Sequence, residues 1–211
     1  MTKTNMYYEE NPDSAHDIHE LKVTLLGQHF SFLTDSGVFS KKIFVNFRFL
    51  KPSKKMIDYG SQVLLNAVSF EAGKTLLDLG CGYGPLGIAL AKVQGVKPTM
   101  VDVNNRALDL ARKNAEKNGI SATIFQSNVY EQVEGIFDYI ITNPPIRAGK
   151  QIVHEMIGES ITHLNSGGSL TLVIQKKQGA PSAKAKMEDV FGNATILKRD
   201  KGYYILQSIK E

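Results

Sequence analysis

"LLDLGCGYGPLG", Leu76 to Gly87, is the stretch that decides the fold. An apolar run carrying one carboxylate, Asp78, leads into Gly80, Gly82 and Gly84, and Pro85 opens a second apolar run. Glycines after a strand let the backbone turn sharply and approach a ligand without side chains in the way. Proline is well tolerated at a first helical position, where its missing amide costs nothing. "TLLDLG" therefore reads as a strand and "PLGIALAKV" as the helix it feeds.

The alternation continues downstream. "KPTMVDV" is a strand. "NRALDLARKNAEKNG" is a helix with Ala107, Leu108, Ala111 and Ala115 on one stripe and Gly119 as its stop. "ATIFQS" and "FDYIIT" are strands, "KQIVHEMIGESITHL" a helix, "GGSLTLVIQ" a strand and "APSAKAKMEDVF" a helix. "ATILKRD" and "GYYILQSI" close the pattern as an antiparallel hairpin around Lys201-Gly202. Alternating strands and helices imply an α/β fold, with a mostly parallel seven-stranded sheet covered on both faces.

Upstream the pattern differs. Residues 1 to about 20 read as a loosely held arm. "LKVTLL" and "HFSFLT" read as a small β-hairpin around "GQ". "MIDYGSQVLLNAVSF" has helical spacing. These features divide the chain into 1–56, an arm, hairpin and basic, aromatic segment, and 57–211, the α/β domain.

Composition narrows the class. The chain has 211 residues, 42% of them apolar, which suits one globular domain with a small appendage. The single cysteine, Cys81, cannot form an intramolecular disulfide and fits a reducing cytoplasm. No apolar run reaches membrane-spanning length, and the polar N-terminal stretch does not read as a signal peptide. The net charge of +4 is a mild hint of an anionic partner. His16 and His19 flank Asp17 without an evident third ligand, so no metal is expected. His154 and His163, on the helix after "NPPI", read as packing or solvated residues.

The glycine loop has an acidic partner. Asp102 ends the next strand, where a carboxylate can accept hydrogen bonds from both hydroxyls of a ribose. The spacing opposes a dinucleotide, because the third glycine comes one residue early and Pro85 takes the later position. Asp78 would repel a pyrophosphate and suits a cationic group instead. Cys81 has no placed His or Asn partner, so its backbone belongs to the loop and its thiol is not a nucleophile.

"DLGCGYG" resembles the cofactor loop of the Rossmann-like class I S-adenosylmethionine-dependent methyltransferases. The resemblance implies S-adenosyl-L-methionine as cofactor. It implies a pocket formed by Asp78, Gly80, Cys81, Gly82 and Gly84, by Asp102 with Val103 at the ribose, and by Asn128 with Val129 at the adenine. Asn128 stands where Asp is more usual, but its carbonyl oxygen can still accept from an adenine amino group.

"YIITNPPIRAGK", Tyr139 to Lys150, carries the second motif. It follows a strand of the parallel unit and so falls at the carboxyl edge of the sheet, beside the glycine loop. An exocyclic amine on a base is a poor nucleophile, because its lone pair is delocalised into the ring. Two acceptors aimed at its two hydrogens favour a pyramidal nitrogen. Asn143 offers a side-chain oxygen and Pro144 a carbonyl, and Pro144 with Pro145 restricts the backbone in advance. The tetrapeptide resembles the [N/D]-P-P-[aromatic] motif of amino-methyltransferases, with Ile146 in place of the aromatic and Asn143 also bordering the cofactor. Phe39 is a candidate to stack on the base instead.

"DSGVFS", "DYGSQVLL", "NPPIRAGK" and "VIQKKQGA" together look like the RsmC-like family of small-subunit ribosomal RNA guanine-N2 methyltransferases, closest to its short, YbxB-type relatives. That resemblance implies guanine N2 of 16S ribosomal RNA as target, and ribosomal RNA or the small ribosomal subunit as partner. It also implies that Gly37, Val38 and Phe39 cover the pocket, and that Ile146, Arg147 and Lys177 meet the substrate. A stretch that departs from the family, "IFVNFRFLKPSKKM", interleaves Phe44, Phe47 and Phe49 with cations, as suits unstacked bases and phosphates. Its other reading is an edge strand with one apolar face. Three alternatives remain open: glutamine N5, adenine N6 of DNA, and an RNA-binding assembly factor without catalysis. Monomer and homodimer are both compatible with the sequence.

Overall fold

The computed structural model of the chain describes residues 15–35, 57–144 and 149–211. Two strands, β1 (Ile18–Leu25) and β2 (Gln28–Asp35), form an antiparallel hairpin. Its turn is Leu26-Gly27, one residue earlier than expected, with both residues at positive φ. Two left-handed residues match the twist of a two-residue hairpin turn, and this outweighs the strain on Leu26. The strand also begins at Ile18, inside the stretch expected to be an arm, and His16 and Asp17 just before it bond to Asp35.

The main sheet contains β3 (Thr75–Leu79), β4 (Lys97–Asp102), β5 (Thr123–Gln126), β6 (Phe137–Thr142), β7 (Leu164–Gln175), β8 (Thr195–Asp200) and β9 (Tyr203–Ile209). Its spatial order is β5-β4-β3-β6-β7-β9-β8, parallel from β5 through β7 and antiparallel at β9 and β8. The helices are α1 (Tyr59–Leu65), α2 (Pro85–Gln94), α3 (Asn105–Lys117), α4 (Gly149–Ser160) and α5 (Ala180–Phe191). This is the Rossmann-like class I methyltransferase architecture that the sequence implies, with the N-terminal hairpin added.

Two elements differ in length from expectation. Helix α1 covers seven residues, because Asp58 caps its start and Asn66 ends it. Helix α4 passes into a 3₁₀ turn at Ile161–His163, and β7 then starts at Leu164, before the glycines. The β6–β7 register shifts there, and a bulge absorbs the extra residues.

Core packing fixes the sheet. Leu76, Leu77, Met100, Val101, Ile140 and Ile141 are fully buried in the central strands. Alternate residues point to opposite faces, so each strand feeds both helical layers. Leu21, Phe30 and Phe32 of the hairpin join the core cluster on the α2–α3 side. Burying each such side chain contributes about 1.5–3 kcal/mol.

Candidate active site

The strand order reverses between β3 and β6, and ligands bind at such a point, beyond the carboxyl ends of the strands. Leu79 pairs with Thr142, so the residues that follow, Gly80 and Asn143, leave the sheet side by side. Thr142 Oγ1 donates to Leu79 O at 2.8 Å and locks the two strand ends together.

The loop after β3 turns through Gly80, Gly82 and Gly84, all at positive φ. Four of its amides are spent within the fold. Gly80 and Cys81 donate to Val101 O, and Gly84 donates to Cys81 O. Gly82 N donates to Asp102 Oδ2 at 2.8 Å, while Asn104 N takes the other carboxylate oxygen at 2.9 Å. Asp102 is held at the loop's rim by backbone amides, Gly82 and Asn104 among them. Burial nevertheless raises the Asp102 carboxyl above the ordinary range. Gly84 has a packing role as well, since a Cβ there would lie 2.9 Å from Ile88.

Asp78 lies beneath this loop, 1% exposed. Its Oδ2 accepts from Gly87 N in the first turn of α2 at 2.8 Å. Its Oδ1 is buried and has no hydrogen-bond partner among the described residues. Burial, with a smaller push from Asp102, raises its pKa to about 7. A buried carboxylate with one uncommitted oxygen fits a cationic ligand, which would restore its charge. Cys81 is also buried, and burial with the two nearby carboxylates pushes its thiol well up, away from thiolate chemistry.

Beyond β5, Asn128 is exposed and its Nδ2 donates to Glu131 Oε1 at 2.9 Å. That bond leaves the Asn128 carbonyl oxygen turned the other way. Val129 follows at φ 49, an unusual conformation for a β-branched residue. Ser127 sustains it, donating to Val129 O and accepting from Gln132 N. Val103 follows Asp102 at the end of β4, and its carbonyl accepts from Gln126 Nε2.

Asn143 shows the most informative geometry. Its Nδ2 donates to Asp58 Oδ2 at 3.0 Å and to Ser61 Oγ at 2.9 Å. Both amide hydrogens are thereby used, and Oδ1 is left as an acceptor. Asp58 and Ser61 belong to the start of α1, about eighty residues upstream in sequence. Neither was singled out from sequence as a site residue, although Asp before a helical run is a capping signal. Pro144 is half-buried beside Asn143. Lys177 is exposed in the 3₁₀ turn after β7, one strand away on the same sheet edge.

Asn114 was also missed. It is fully buried on α3. Its Nδ2 donates to Leu33 O and to Tyr83 O, each at 2.9 Å, and its Oδ1 accepts from Leu33 N. One side chain thus joins the hairpin to the glycine loop. Phe39, Pro145, Ile146, Arg147, the 43–56 segment and residues 1–14 lie outside the described residues. His16 and His19 pair with Asp35 and Asp17, and no group able to hold a metal occurs among the described residues. His154 bonds Ser182 and His163 stacks on Tyr130, both in packing roles.

Residues 49–207 match the family described as "Methyltransferase small domain". The chain is 42% identical to "Uncharacterized protein YbxB" of Bacillus subtilis, over 97% of this chain and 98% of that one. It is 32% identical to "Ribosomal RNA small subunit methyltransferase C" of Shigella flexneri over 74% of its length, and it spans 46% of that longer protein. Among solved structures, it superposes with a TM-score of 0.78 on the T. thermophilus 16S rRNA N2 methyltransferase (RsmC), determined in complex with AdoMet and guanosine. Identity there is 25%, covering 92% of this chain and 51% of that one.

Proposed function

The chain belongs to the methyltransferase small domain family, and from that premise we propose that it methylates an exocyclic amine, guanine N2 of small-subunit ribosomal RNA. S-adenosylmethionine is its cofactor and supplies an activated methyl carbon. The observation that carries the choice of an amine is Asn143, fixed at the end of β6 with its amide hydrogens turned inward and its oxygen available. The choice of guanine and of ribosomal RNA rests on similarity to ribosomal RNA small subunit methyltransferase C over about half of that protein.

In this reading Asp102 receives the ribose and Asn128 the adenine amino group. Asp78 stands beneath the loop and balances positive charge. Asn143 Oδ1 and the Pro144 carbonyl accept the two hydrogens of the guanine amine and direct its lone pair toward the methyl carbon. A carbon–nitrogen bond forms as the carbon–sulfur bond breaks, and the nitrogen then loses a proton to water. Pro145 is assigned to the same motif, and contact with the RNA is assigned to Phe39, Ile146, Arg147 and Lys177. Guanine N2 is hidden within a helix, so the base is flipped or single-stranded when it reacts. The protein works in the cytoplasm, where its RNA is. Among the described residues no helix is long and apolar enough to cross a membrane.

The test is transfer of labelled methyl from S-adenosylmethionine to small ribosomal subunits, naked 16S rRNA, DNA and a release factor in parallel. N2-methylguanosine in digested RNA is the expected product. Label confined to DNA or protein would keep the chemistry and reject the substrate.

A further inference from the structure

Asp58 does two jobs with one carboxylate. Its Oδ1 accepts from Gly60 N at 2.9 Å and Ser61 N at 3.3 Å, capping α1. Its Oδ2 takes one hydrogen of the Asn143 amide, and Ser61 Oγ takes the other. An amide side chain can present either its oxygen or its NH₂ group, and the two ends are nearly equal in size. Nothing within Asn143 selects between them. An ionised carboxylate only accepts, so Asp58 admits the NH₂ end alone. The pair is shielded, since Ser61 is 2% exposed and Asn143 half-buried. The α1 start is itself seated firmly, for a Cβ on Gly60 would lie 2.9 Å from the Tyr203 ring on β9.

We propose that Asp58, assisted by Ser61, is the positioning residue that sets which end of Asn143 faces the substrate amine. This rests on the amine-methylation reading above. Asp58 does not touch substrate; it acts through Asn143, holding Oδ1 outward as acceptor. Turned over, the same amide would offer hydrogens to hydrogens, and the amine would be repelled.

The arrangement predicts reciprocal behaviour. Asp58→Asn keeps a capping oxygen but sets NH₂ against NH₂, and Asn143 turns over. Asn143→Asp sets one carboxylate against another. Each single variant should lose about a hundredfold in kcat, with S-adenosylmethionine affinity within about twofold of the parent. The double variant, Asp58→Asn with Asn143→Asp, restores a donor facing an acceptor and leaves a carboxylate oxygen outward. It should recover at least about tenfold over either single variant. A structural cap alone gives no such rescue. Ser61→Ala, which keeps the cap, should cost about fivefold and stands in if Asp58→Asn fails to fold.

A second readout does not depend on turnover. The two side-chain amide protons of Asn143, observed by ¹⁵N NMR in the parent protein, should exchange slowly with solvent. They should lose that protection in Asp58→Asn. Asp58→Asn activity within about threefold of the parent, a double variant no better than the worse single, or unprotected Asn143 protons in the parent would each overturn the proposal. If the parent methylates none of the offered substrates, the functional reading fails, while the exchange experiment still decides how Asn143 is held.

Discussion

Asp102 ends β4 and Asn143 follows β6, on either side of β3, and the two should fail in different ways. In the proposed reaction Asn143→Ala removes an acceptor used in the transition state, and it should cost about 3 kcal/mol, roughly a hundredfold in kcat, with cofactor affinity little changed. Asp102→Ala should do the reverse and weaken cofactor binding first. Steady-state kinetics with calorimetric titration of S-adenosylmethionine separates the two. Collapse of cofactor binding in Asn143→Ala would show that the two sites are not divided in this way. At this scale the sequence was informative where chemistry is local. Asp78, the glycines and Asn143 announce themselves by type and neighbours. Asp58 and Ser61 do not, because their partner is distant in sequence and only the fold brings them together.

Among the elements, the β1–β2 hairpin has the most specific attachment. Asn114 satisfies Leu33 on both its amide and its carbonyl, and Tyr83 on its carbonyl. Asn118 repeats the device one turn later with Ser31. Arg106 and Asp35 add a part-buried ion pair at 2.6 Å near the start of α3. Asn114→Ala leaves buried groups of the hairpin and the glycine loop unpaired and should destabilise the protein by about 2–4 kcal/mol. Urea denaturation measures the loss. A second, earlier transition by hairpin-specific hydrogen exchange would show that the hairpin loosens before the sheet. The elements were mostly legible, because period-two and period-3.6 patterns alternate cleanly from Thr75 onward. The errors fell where tertiary contacts decide boundaries. The apolar spacing after Leu65 suggested more helix than Asn66 permits, and the glycines of β7 concealed a strand that continues through a bulge.

For the molecule as a whole, Asp78 sets a pH dependence. Its folded-state pKa is raised, from 3.8 to about 7, because burial disfavours the charged form. The neutral acid is therefore favoured in the fold. That contribution is fully present below about pH 4 and is lost as pH rises toward about 7. The displacement is worth about 4 kcal/mol as an upper figure. In ligand-free protein, Asp78→Asn should flatten the fall in Tm across that window and be the more stable form above it. Thermal melts from about pH 4 to about pH 8, with the parent alongside, give the comparison. Equal slopes would place the charge elsewhere.

Strand β9 lies between β7 and β8 and carries Tyr203 against Gly60. It follows the glycine loop and Asn143 in chain order, so on the ribosome it emerges after them. Until it arrives, β7 has an open edge and the start of α1 has no seat. A nascent chain thus holds Asp58 and Asn143 before it holds the strand against which the start of α1 packs. The Asp58–Asn143 contact therefore gains its backing late, from a strand that follows both residues in the chain.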